Sequence, residues 1–207
     1  MQQLLNRFYR CFFLGWFWLG DRLFFHQQRW QEAALCAQKP ILLLANHISW
    51  WDGAWMFLRN AGYWKRRFNV LMLEAELQKR PFLAALGAIG LGKGREQLQC
   101  LSQLTALAQD AQNLLLIFPE GAIQSAHQSL TKFETALLRR LDLSEWQVVF
   151  VYSAVEYLNQ PRPTRFHFVE PCETNDYRGL STAYSAFKAK CQAQLATEIT
   201  RSMRQWP

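Results

Sequence analysis

Ile41-Leu42-Leu43-Leu44-Ala45-Asn46-His47-Ile48-Ser49-Trp50-Trp51-Asp52 is the stretch on which the reading of this chain turns. Its first five residues form an uninterrupted apolar run, the pattern of a buried strand. From Asp52 the segment Gly53-Ala54-Trp55-Met56-Phe57-Leu58 takes up helical spacing, so His47 sits where a strand ends and a helix is about to begin. A carboxylate one turn from an imidazole accepts its Nδ1 proton, fixes the tautomer and leaves Nε2 free as a base. Such a pair removes a proton from a hydroxyl without a serine or cysteine nucleophile. The plainer alternative is a histidine closing a strand beside a helix-start aspartate.

Asn113-Leu114-Leu115-Leu116-Ile117-Phe118 is a second run of the same kind, closed by Pro119-Glu120-Gly121. Proline ends the strand, glycine permits an unusual backbone angle, and the glutamate is left at the strand's end. Ligands in α/β sheets gather at such strand ends, so the pattern brings His47, Asp52 and Glu120 towards one edge. Residues 68–73, 147–155 and 165–169 also read as strands, 97–107 as a helix, 135–141 as a short helix and 159–164 as a loop. In the last segment Tyr184, Phe187, Cys191, Leu195 and Ile199 fall at steps of three and four, one apolar face of a closing amphipathic helix. Strands alternating with helices predict an α/β fold with a single mixed, mostly parallel central sheet and helices on both faces. An N-terminal membrane-associating helical segment, residues 1–30, is expected to precede an α/β domain at 31–207.

NHxxxxD at 46–52 followed by FPEG at 118–121 resembles the 1-acylglycerol-3-phosphate (lysophospholipid) acyltransferase family, over residues 40–155. That resemblance implies His47 as general base on an acceptor hydroxyl and Asp52 as its orienting partner. The activated hydroxyl would attack the thioester of an acyl-CoA or an acyl-carrier protein, with no bound cofactor or metal. Phe118, Pro119, Glu120 and Gly121 fall on the acceptor-binding block, while Asn46 and Ser49 are placed to hold the turn or to donate to a developing oxyanion. Where relatives carry a glycine-started block ending in arginine, this chain has Gly87-Ala88-Ile89-Gly90-Leu91-Gly92-Lys93, with Arg95 nearby. Beyond FPEG, relatives continue with threonine and arginine; here stand Ala122 and Ile123. Guanidinium forks grip a phosphate bidentately, whereas lysine is a point charge and isoleucine offers nothing. The fourth block of the family carries a proline that Val148-Val149-Phe150-Val151-Tyr152 lacks. The expected acceptor is therefore a lysolipid or glycolipid hydroxyl less charged than lysophosphatidate.

Half of the 207 residues are hydrophobic, enough for one domain with an ample core. Nine tryptophans and fifteen phenylalanines exceed what a core of this size demands, and surplus aromatics favour a membrane interface. The net charge of +7 lies in residues 1–100, where Lys and Arg exceed Asp and Glu; from 101 onward the two signs balance. A basic half suits an anionic lipid surface, and no nucleic-acid-binding motif accompanies it. Five scattered cysteines without a CxxC pair argue against a disulfide framework or a metal site and for a reducing compartment. The uncharged aromatic run at 11–20, flanked by Arg7, Arg10 and Arg22, is too short to span a bilayer and has no cleavage signal. It reads as an interfacial segment, hence a peripheral protein on the cytoplasmic face of a membrane, with a helix packed on the domain's own core as the plainer alternative.

Two other activities fail on their motifs. Gly87 to Lys93 matches a P-loop until Gly94 replaces the hydroxyl residue that holds magnesium, and no GxSxG elbow occurs for a serine hydrolase. The remaining rival is a catalytically inactive lipid-binding protein on the same fold. Oligomeric state has no signature in the sequence.

Overall fold

The computed structural model describes residues 2–36, 38–128, 132–174 and 176–204. Helix α1 (Gln2–Phe24) is followed by β1 (Gln28–Glu32), β2 (Ile41–Ala45), α2 (Asp52–Arg59) and β3 (Arg67–Leu73). Then come α3 (Glu74–Lys79), α4 (Phe82–Ala85), β4 (Ala88–Leu91), α5 (Arg95–Ala108) and β5 (Asn113–Ile117). The chain closes with β6 (Gln147–Glu156), β7 (Thr164–Pro171) and α6 (Tyr177–Arg204). Seven strands make one sheet in the order β1-β7-β6-β2-β5-β3-β4. The strands β6, β2, β5, β3 and β4 run parallel; β7 is antiparallel to β6, and β1 runs alongside β7. This is the mixed, mostly parallel α/β sheet that the strand and helix pattern predicts.

Strand alternation explains why the central runs are apolar throughout. Ile41, Leu43 and Ala45 join Leu114, Leu116, Val149 and Val151 in one core, while Leu42 and Leu44 join Leu115, Ile117, Val148 and Phe150 in the other. The first core is covered by Phe17 of α1 and Trp55, Met56 and Phe57 of α2. Cys100 and Leu104 of α5, with Leu180, Tyr184, Phe187, Cys191 and Leu195 of α6, cover the second. Full burial of such a side chain stabilises by about 1.5–3 kcal/mol, so both faces of the sheet need a helical layer.

Elsewhere the pattern and the structure part. Residues 135–141 do not form the expected helix; only a 3-10 turn, Leu138–Arg140, is present. Leu138, Leu141, Leu143 and Trp146 are each buried in turn, and a segment this short gains too little from helical bonds to resist being pulled apart by packing. Two edge strands, β1 and β4, have no counterpart among the predicted elements. β1 begins at Gln28, so the sheet starts ahead of residue 31.

No helix among the described residues is long and apolar enough to cross a membrane. Helix α1 lies on the first core instead. Phe13 stacks on Phe82 at 4.7 Å, and a Cβ at Gly20 would come within 2.6 Å of the tip of the Trp51 ring, so a larger residue there would have to push that ring aside. Arg165 of β7, fully buried, donates to the Asp21 carboxylate at 2.8 Å and fastens the end of α1 to the sheet. The opposite face of α1 exposes Leu4, Phe8, Phe12, Trp16, Leu19 and Leu23 in a continuous stripe.

Candidate active site

The parallel pairing of β2 with β5, which sets Leu44 opposite Ile117, makes the segments Asn46-His47 and Phe118-Glu120 leave the sheet side by side. The His47 ring stacks on that of Phe118, centroids 4.3 Å apart. Its Nδ1 lies 2.8 Å from Asp52 Oδ2. The same carboxylate oxygen accepts the backbone N–H groups of Ile48 at 2.7 Å and Ser49 at 2.9 Å. An oxygen gathering three such contacts serves as acceptor to each, so Nδ1 carries the ring proton and Nε2 holds the free lone pair. Burial holds the Asp52 carboxyl above its usual range, and the bonds from His47, Ser49 and Ile48 offset this only in part. Asp52 is 2% exposed and His47 25%, so the pair is closed from below and open on one side.

The loop after β5 also grips the backbone of His47. Glu120 Oε2 accepts the His47 N–H at 3.1 Å, and the Gln124 N–H donates to the His47 carbonyl at 2.7 Å. Gly121 makes the turn possible with φ +69, donating its N–H to the Phe118 carbonyl at 3.1 Å. The other Glu120 oxygen accepts Lys188 Nζ from α6 at 2.9 Å, an ion pair buried on both sides. Asn46 is spent in a comparable way: its amide donates to the Ser153 carbonyl at 2.8 Å and accepts the Ser153 N–H at 2.7 Å, tying the turn to β6. Ser49 Oγ accepts the Trp51 N–H at 2.8 Å. Asn46 and Ser49 thus hold the turn.

His47 opens onto a cavity of about 640 Å³. Its walls are mostly apolar, with Phe57, Phe68, Val70, Leu83 and Leu86 prominent, and Phe118, Pro119 and Gly121 lie beside the histidine. Exposed charges occur at its rim in two pairs. Arg80 Nη1 is 2.8 Å from Glu76 Oε2, and Lys132 pairs with Glu134. Lys93 and Arg95 are exposed and do not line the cavity, although their neighbours Leu91 and Gln97 do; Glu120 lies beneath it, both oxygens engaged. Three contributors escape the motifs. Lys188 and Ser153 are named by nothing in the sequence except, for Lys188, a charge set among the apolar residues of α6, and Arg80 looks like any surface cation.

A strand-end His–Asp pair, held by a second strand-end loop and opening onto an apolar cavity of this size, suits acyl chemistry. The sequence model of the family described as acyltransferase matches residues 23–151, from the end of α1 into β6. The chain belongs to the acyltransferase family. Its general role is therefore acyl transfer, and both motif loops fall inside the match, whereas β7 and α6 lie beyond it. Comparison with curated proteins finds no match.

Proposed function

We propose that this acyltransferase moves a fatty acyl group from an acyl-CoA or acyl-carrier-protein thioester to a hydroxyl of a membrane lipid, with His47 as general base. The observation that carries this is the contact of His47 Nδ1 with Asp52, which leaves Nε2 free on an imidazole that lines the apolar cavity. In the forward reaction Nε2 takes the hydroxyl proton as the oxygen attacks the thioester carbonyl. The tetrahedral intermediate collapses, the C–S bond breaks, and the leaving thiolate takes the proton back from His47. One ester forms, one thioester is lost, and the base returns to its starting state. The apolar walls suit the acyl chain.

The rim bears on the acceptor. Arg80 shares the Glu76 carboxylate with Lys79, Lys132 is paired with Glu134, and Ile123, exposed close to Gly121, offers no donor. A phosphomonoester needs a guanidinium fork or several unpaired donors, so the acceptor we propose is a hydroxyl-bearing lysolipid or glycolipid without a terminal phosphate. Equal amounts of lysophosphatidate, lysophosphatidylcholine, monoacylglycerol and a monoglycosyl lipid, offered together with labelled acyl thioester, test this. The product on lysophosphatidate should be outrun by roughly tenfold or more, the worth of one or more charge-assisted bonds. Lysophosphatidate as the favoured acceptor would sink the proposal.

Attachment to the membrane surface is supported by the apolar stripe of α1, with Trp50 exposed close by and the basic N-terminal half of the chain. All five cysteines are free, in keeping with a place on the cytoplasmic face.

A further inference from the structure

The buried ion pair between Glu120 and Lys188 joins the catalytic turn to a helix that the family match does not reach. Lys188 is 3% exposed and Glu120 2%, and their 2.9 Å contact spans 68 residues of sequence. Leaving one charge of such a pair unpartnered in a protein interior is strongly destabilising, whereas replacing both by neutral groups of similar volume is often tolerated. The pair must therefore be judged by what it holds. Glu120 Oε2 accepts the N–H of His47, and Oε1 of the same carboxylate accepts Lys188 Nζ. The chain of contacts runs Lys188 Nζ, Glu120 carboxylate, His47 backbone, with Asp52 fixing the ring at the other end. Four residues further along α6, Gln192 Nε2 donates to the Ala126 carbonyl at 2.9 Å, so the helix grips the same loop at a second point.

We propose that Lys188 is a positioning residue for acyl transfer, aligning Glu120 so that the His47 backbone, and through it the free ring nitrogen, is held towards the cavity. The proposal rests on His47 as the base. It makes α6 part of the catalytic apparatus rather than a cover for the sheet. The charged and titratable groups around Glu120 are His47 and Asp52 from the β2–α2 turn, Tyr152 from β6, and Tyr184 and Lys188 from α6; burial, then the Glu120 charge, raises the Tyr184 hydroxyl well above its ordinary value.

The test measures kcat and KM from pH 6 to 9, using the thioester and acceptor that the full-length parent turns over in the competition described above. Four variants are compared with the parent: Lys188→Met, Glu120→Gln with Lys188→Met, Glu120→Leu with Lys188→Met, and His47→Ala. A displacement of the base by about 1 Å costs on the order of a hundredfold. Lys188→Met should therefore lower kcat by about ten- to a hundredfold with KM nearly unchanged. Its loss should deepen as pH rises, because a buried carboxylate without its cation is tolerated only when protonated. The Gln/Met double keeps an acceptor for the His47 N–H and buries no charge, so it should recover to within a few-fold of the parent with no added pH dependence. The Leu/Met double is equally neutral but has no acceptor, and should stay as slow as Lys188→Met. Parental kcat and pH profile in Lys188→Met, or equal rates in the two doubles, overturn the proposal. Should Lys188→Met fail to fold, the two doubles decide alone. Full activity in His47→Ala removes the base reading and the positioning role with it; an inactive His47→Ala beside an unaffected Lys188→Met removes the positioning role only.

Discussion

His47 is fixed at three points, ring Nδ1, backbone N–H and backbone carbonyl, and only Nε2 remains available. Replacement by Ala should leave the fold intact and lower kcat by about two to four orders of magnitude, the range of positioned general-base catalysis. Asp52→Asn should come close to that loss while KM changes little, since an amide supports the wrong tautomer as readily as the right one. Steady-state kinetics on folded variants check both, and an Asp52→Asn enzyme at half the parental rate would show that the carboxylate does not govern the base. At this scale the contact between His47 and Asp52 was legible because it is local: five positions on one chain turn decide it. The partners of Glu120 and Asn46 were not, since Lys188 and Ser153 lie 68 and 107 residues away and a side chain's far partner leaves no trace in spacing.

At the scale of elements, the runs 41–45 and 113–117 were readable because strands buried on both faces need apolar residues at every position. The edge strands were not. Gln28-Arg29-Trp30-Gln31-Glu32 has one hydrophobic residue in five, and Ala88-Ile89-Gly90-Leu91 is short and holds a glycine, because a strand with one open side has little to bury. The ten uncharged residues at 11–20 belong to a helix of 23, whose polar flanks hid its length. That helix presents nine large apolar side chains to the outside, six of them in the stripe from Leu4 to Leu23, while Phe13 and Phe17 face inward. Replacing Phe12 and Trp16 together by Glu removes apolar contact and adds two charges on the exposed face only. The variant should keep its melting temperature within a few degrees and bind vesicles containing anionic lipid at least tenfold more weakly in sedimentation. Unchanged partition would show that the stripe does not meet the bilayer.

For the molecule as a whole, acid sensitivity is written into a buried histidine that does not line the cavity. His167 of β7 is fully buried, bonded to Ser153 Oγ at 2.8 Å and stacked on Trp30 at 4.0 Å. Burial first, then the charges of Arg165 and Arg59, hold its proton affinity well below the ordinary value of 6.5. Below that pH the unfolded chain takes up a proton that the folded one refuses, so stability falls as pH falls, by up to about 1.4 kcal/mol per pH unit from this group. Melting temperatures between pH 7.5 and 5.5 should drop in the parent and drop less steeply in His167→Asn; parallel curves would assign the acid limb to other groups. The buried Asp52 and Asp21, both raised by burial, are present in both proteins and cancel in the comparison. The bracket around His47 has a kinetic meaning as well. Its amide hydrogen is handed to a carboxylate that solvent does not reach, and its carbonyl is covered by Gln124. Loops ordinarily surrender their amide hydrogens to deuterium within moments, but this one opens only when the sheet edge and α6 separate. Peptides spanning 44–49 and 117–126 should therefore become labelled together, on the timescale of the central strands, marking the turn around His47 as one of the last parts of the molecule to breathe.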